Sequence, residues 1–235
     1  MTAGAARQGA LVGVTACLLA LVSVPAAGHH VGVYVPRDNE VSANFKQLKF
    51  SIQAGKFDVA VRLFETGAVR AAMRAQSSRL PAGLEAATRA AIKAGDARAA
   101  ERGLMVLFAA LARDLAIEAD RQLADSREPV EIRAAAGRKF LEAIWRYYNL
   151  VDFAVTQYDA KTGVLIRLAF DEAEGYARDA GATGTGSAAE SPRSAAGRPV
   201  AATPDPAKMR APLRRIALTL AGLIETSSTS TRRHS

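Results

Sequence analysis

Cysteine is almost absent from this chain: among 235 residues there is one, Cys17, in an apolar run near the start. The remainder can form no disulfide and no thiolate metal site, so its stability rests on packing. Histidine is nearly as scarce, with His29 and His30 adjacent and His234 at the far end. No imidazole lies between them, which excludes zinc spacings and the Glu-x-x-His pairs of di-iron bundles. A haem-attachment cysteine pair, a phosphate-binding glycine loop and a Gly-x-Ser-x-Gly elbow are missing as well. These absences remove most cofactor enzymes, and no nucleophile pattern points to an enzyme of another kind. Aromatic residues make up 6% of the chain. Basic residues are not interleaved with them in a block, so the sequence lacks a nucleic-acid footprint. No long apolar run follows the first thirty residues.

Those first residues read as a signal peptide, 1–28. Arg7 gives a positive start, ALVGVTACLLALVSV is an apolar core, and PAAG supplies small residues for cleavage. The core is too short for a comfortable membrane span. The implied location is the bacterial periplasm or the exterior. VTAC loosely fits a lipoprotein box, but cutting there would leave LLALVSV on the mature chain, so Cys17 reads as a chance cysteine. The formal net charge is +8, one unit of it from Arg7. The arginines are scattered through alanine-rich helices beside acids, so the charge reads as composition, with weak attraction to anionic surfaces.

An extended segment, 29–40, follows. Pro36 pushes Val35 out of helical geometry, and Asn39 and Ser42 are the best caps for the next helix. Residues 41–178 then read as a helical domain, rich in Ala, Leu, Arg and Glu, with apolar residues recurring at three and four. AGKFDVAVRLF (54–64) aligns with AGDARAAERGL (94–104), matching Gly55 to Gly95 and Ala60 to Ala100. In each, a helix stops at glycine, a charged residue follows and a new helix begins. Gly55, Phe57, Ala60 and Phe64 resemble the turn of tetratricopeptide hairpins, and the second copy keeps Gly95 and Ala100. The likeness implies stacked helix pairs and covers two hairpins. A solenoid needs about three repeats, so the sequence points to an all-α, tetratricopeptide-like helical-hairpin bundle.

After the breaker SREPV, the segment 131–158 gives the strongest helical pattern. Its predicted buried stripe is Ile132, Ala136, Phe140, Ile144, Tyr147, Val151, Val155 and Tyr158. DAKTG (159–163) signals a turn into a second helix. Residues 179–206 are rich in Ala, Gly, Ser, Thr and Pro and read as a flexible linker. A C-terminal amphipathic helix, 207–226, follows. Its apolar side is Leu213, Ile216, Ala217, Leu220, Leu223 and Ile224, with Arg210, Arg214 and Arg215 opposite. Such a helix docks on the bundle or contacts an anionic membrane surface weakly. Residues 227–235 read as a disordered tail.

Two places carry candidate chemistry. In FDEAEGY, Leu165, Ala169, Ala173 and Tyr176 define a predicted apolar face. At about 100° per residue, Asp171 and Glu174 fall on the solvated side and Glu172 points inward. An inward carboxylate needs a partner. Glu172 then accepts from a tyrosine or pairs with an arginine, or else Asp152, Asp159 and Glu172 form an oxygen-rich site for a divalent cation or iron. The second place is His29-His30. Cleavage after Ala26 leaves Ala27-Gly28-His29, a nitrogen set suited to copper(II), and cleavage after Gly28 makes His29 the chelating terminus. Trp145, Tyr147 and Tyr148, together with the hairpin groove, are the candidate contact surfaces. The functional expectation is a non-enzymatic interaction or accessory module of the bacterial envelope, its partner an unknown envelope protein. The rival reading is periplasmic metal handling.

Overall fold

The computed structural model of the chain describes residues 37–177 and 204–232, with side chains to residue 228. The predicted signal peptide, His29, His30 and nearly all of the predicted linker lie outside these residues. The described residues form eight helices: α1 Glu40–Gln53, α2 Phe57–Thr66, α3 Ala68–Ala75, α4 Leu84–Ala94, α5 Ala97–Leu123, α6 Val130–Tyr158, α7 Ala160–Ala177 and α8 Pro206–Arg232. The all-α reading holds.

Local chemistry explains the boundaries. Asn39 caps α1: its Oδ1 accepts from the Ser42 N–H at 2.9 Å, and Ser42 Oγ accepts from the Asn39 N–H at 2.9 Å. This reciprocal pair satisfies two donors that the helix start leaves open. Gly55 and Gly95 both adopt left-handed backbone, φ 68° and 73°. Glycine enters that region without the steric cost of a Cβ, and each lets a helix reverse into its neighbour, as the sequence predicts. Asp96 then caps α5 through the Ala99 N–H at 2.9 Å. Pro129 immediately precedes α6.

α5 organises the interior. Every residue from Gly103 to Ala112 is buried. A helix buried all round needs cover on every side, and α1, α4, α6 and α8 supply it. The helices α5 to α8 form an up-down-up-down bundle, each packed on its neighbours, with α8 closing the ring against both α5 and α7. α8 buries Met209 together with Leu213, Ile216, Ala217, Leu220, Leu223 and Ile224, so its predicted apolar side is a docking face. Two of the three arginines set opposite are paired, Arg210 with Asp120 and the half-exposed Arg215 with Glu172. The apolar side of α8 is thus taken up by the bundle. The helix outruns its predicted end, because Thr226 and Ser228 return their hydroxyls to carbonyls three or four residues back and Ser227 is buried. The predicted disordered tail is therefore helical through Arg232.

The predicted stripe on α6 is out of phase. The buried residues are Ala134, Gly137, Leu141, Ile144, Tyr148, Val151 and Val155. They alternate steps of three and four, which holds one face of a helix. The predicted stripe steps by four from Ile132 to Ile144, and each such step turns the face by about 40°. Ile132 therefore ends 56% exposed. Ile144, Val151 and Val155 lie where the two patterns coincide. The predicted turn at 159–163 shrinks to Asp159, since α7 begins at Ala160.

Candidate functional site

The hairpin of α6 and α7 holds the carboxylates singled out in the sequence, and it sends each to a different partner. Asp152 receives two bonds from the Arg167 guanidinium, at 3.1 Å and 2.5 Å. The same guanidinium donates to Thr156 Oγ1 at 3.1 Å. Asp159 caps α7, accepting from the Lys161 and Thr162 N–H groups at 3.0 Å and 3.2 Å and from the Thr162 hydroxyl at 2.7 Å. The Thr162 hydroxyl bond is the chief reason its carboxyl sits below the usual range. Glu172 pairs with Arg215 of α8.

The inward assignment of Glu172 is thus corrected. Its side chain is 39% exposed and its partner comes from α8 rather than α6. Glu174, assigned to solvent, is the buried one, at 5% exposure. The physical reason is the choice of face. Leu165 began the predicted apolar side, yet it is 46% exposed, while Ile166 and Phe170 are buried beside Ala169 and Ala173. Asp171 lies exposed, as expected. Asp152, Asp159 and Glu172 are not brought together, and among the described residues no group of three or more His, Cys, Asp or Glu is placed to hold a metal ion.

The aromatic flank is mostly interior. Tyr148 is fully buried. It packs with Trp145 and Phe170 at centroid distances of 6.0 Å each, and Trp145 meets Phe170 edge-on at 5.2 Å. Tyr148 is a core residue and not a contact surface. Its hydroxyl makes no well-formed hydrogen bond. Burial, with the nearby Asp152 carboxylate, pushes its ionisation far up. Trp145 is half-buried in this cluster. Tyr147 is half-buried too, its Oη accepting from Asn39 Nδ2 at 2.8 Å, so it ties the start of α1 to α6.

A surface the sequence did not assemble lies beside Tyr147. α1, the first turns of α5 and the second half of α6 enclose an open groove of about 490 Å³. Phe45, Leu104, Met105 and Val151 form its buried floor. Phe153 stands on one wall, 70% exposed. Lys49, Arg98 and Arg102 line it from α1 and α5. None of these three cations makes an ion pair among the described residues, whereas Arg70, Arg167, Arg210 and Arg215 are all paired. The Glu101 carboxylate lines the groove as well, between Arg98 and Arg102, so the wall carries charge of both signs with an excess of cations. The groove's residues come from three helices far apart in sequence, so no local pattern announces it.

Comparison of the chain with known protein families, with curated proteins and with solved structures gives no match.

Proposed function

We propose that this chain is an exported, non-enzymatic binding module of the bacterial envelope. The groove between α1, α5 and α6 is its contact surface. The carrying observation is that groove: the exposed Phe153 over a buried apolar floor, and Lys49, Arg98 and Arg102, which make no ion pair among the described residues, with Glu101 beside them. An exposed apolar surface rimmed by polar groups on an otherwise well-packed protein marks a place where something binds. The apolar start of the sequence and its PAAG site support export. The glycine-turned helix pairs at Gly55 and Gly95 support a tetratricopeptide-like character for the N-terminal half, a class of helix pairs suited to presenting grooves.

The test has two parts. Intact mass of the protein recovered from the producing cell should show a start between Ala27 and His29, and a chain still carrying residues 1–26 would remove the export reading. Native mass spectrometry of the same material should show a bound species that is lost when Phe153→Asp and Ala154→Trp alter the groove. A bound species unaffected by these changes would move the contact surface elsewhere.

A further inference from the structure

α7 leaves apolar side chains in solvent, and their spacing is regular. Lys161, Val164, Leu168 and Asp171 step along the helix by three, four and three residues. At about 100° per residue such steps hold one face, here within about 80°. That face is turned away from the bundle. Val164 is 52% and Leu168 59% exposed, Lys161 and Asp171 are exposed, and Ile166, Ala169 and Ala173 on the other side are buried. Leu165 is half-exposed and lies alongside, in the direction of Glu172 seven residues on. The charges on either flank are already matched, Glu172 with Arg215 of α8 and Arg167 with Asp152 of α6. Lys161 and Asp171, by contrast, make no ion pair among the described residues.

The four positions are symmetric about Ile166. Lys161 and Asp171 each stand five residues from it, on opposite sides, and Val164 and Leu168 each stand two. Two copies of α7 laid antiparallel, with a two-fold axis at the level of Ile166, therefore set Lys161 against the partner's Asp171. They set Val164 against the partner's Leu168, and each contact is made twice. Alternating steps of three and four form the seam of a coiled coil. A two-fold interface needs this self-complementarity, one residue meeting a second and the second meeting the first. Parallel pairing would set lysine on lysine and aspartate on aspartate. A lipid surface fits less well, because the stripe carries one charge of each sign and gives an anionic headgroup layer no net attraction. We propose that the outer face of α7 docks, antiparallel, on the same face of a second copy of this chain. The stripe is about 15 Å long at 1.5 Å per residue. The interface is therefore small and the dimer transient, with a dissociation constant between about 10 µM and 1 mM.

Sedimentation velocity on the full chain, from about 5 µM to 1 mM, tests this. The weight-average mass rises from one copy toward two and stops there. Leu168→Glu, at an exposed position, keeps the melting temperature and weakens association at least about tenfold, because it sets two carboxylates into the apolar centre. Lys161→Glu makes both end pairs repulsive and weakens the dimer about tenfold, and Asp171→Lys does the same. The two substitutions together restore wild-type association, since the end pairs form again with their charges exchanged. Phe153→Asp, in the groove, leaves association unchanged. A chain that remains a single copy at about 1 mM overturns the proposal, also where it binds phosphatidylglycerol vesicles through Leu168 instead. Growth beyond two copies overturns it, as does a dimer indifferent to Leu168→Glu or lost with Phe153→Asp. A double charge variant that associates no better than the single ones overturns it too.

Discussion

Gly103→Ala should destabilise this protein although it replaces glycine by the best helix former in the middle of a long helix. By propensity alone the change gains up to about 1 kcal/mol. The packing reverses the sign. A Cβ at Gly103 would lie 2.1 Å from Thr88 Oγ1 and 3.1–3.2 Å from the other Thr88 side-chain carbons. Thr88 is itself 1% exposed, and its hydroxyl donates to the Leu84 carbonyl at 2.8 Å. It can move aside only by giving up that bond inside the core, which costs about 1–3 kcal/mol. The alternative is to push α4 off α5, an overpacking cost of about 1–3 kcal/mol. The net loss is about 1 kcal/mol, a fall in melting temperature of roughly 2–4 °C for a chain of this size. Thr88→Ala alone should cost about 1 kcal/mol for the lost packing and hydrogen bond. The double variant should recover most of the loss, with a coupling of about 2 kcal/mol in its favour. Thermal unfolding of the four proteins closes the cycle. A melting temperature for Gly103→Ala at or above wild type would refute the close approach of α4 and α5 at this point.

Gly55→Ala and Gly95→Ala should each cost about 1–2 kcal/mol through backbone conformation. The new Cβ at Gly55 meets nothing, and that at Gly95 meets only the Phe57 ring at an ordinary 3.6 Å. Asparagine at either position should cost less, as denaturant titration would show. Tyr148→Phe should leave stability unchanged or raise it by up to about 1 kcal/mol, because the hydroxyl removed is buried without a well-formed partner. A clear loss in the same titration would mean that Asp152 holds it. In acid, Glu118 is lowered from 4.5 to about 2, chiefly by its hydrogen bond from Arg121, and Asp125 from 3.8 to about 2 by that from Arg127. Carboxyls depressed in the fold contribute stability above their unfolded values and lose it as pH falls toward 2. The melting temperature should therefore decline between about pH 4.5 and 2, and Glu118→Gln with Asp125→Asn should flatten that decline.

What the sequence revealed depended on whether the physics was local. The cap at Asn39 and the turns at Gly55 and Gly95 were legible because a side chain or a left-handed backbone decides them within a few residues. The docking face of α8 was legible because its apolar and polar residues segregate cleanly. α6 and α7 were harder for one reason. Each touches two neighbours, and α7 carries apolar residues all round, with Val164, Leu165 and Leu168 left at 46–59% exposure. Periodicity then cannot fix which face is inside. That is how Glu172 and Glu174 exchanged roles and how Tyr148 passed for a surface aromatic. The groove was illegible for another reason. Lys49, Arg98 and Phe153 share nothing in sequence and meet only because Phe45 and Tyr147 converge on Phe108.

The ring of four helices closes late in the chain. The Arg210–Asp120 pair, which sets α8 on α5, spans 90 residues. The glycine-turned pairs and the α6–α7 hairpin are local and form on short timescales, whereas an arm so distant closes slowly against its loop entropy. Until α8 arrives, α5 displays the apolar side that α8 will cover, so the partly assembled chain is sticky and a natural client for a chaperone that holds unfolded polypeptides. Closure of the four-helix ring is thereby postponed until residues 206–232 are present.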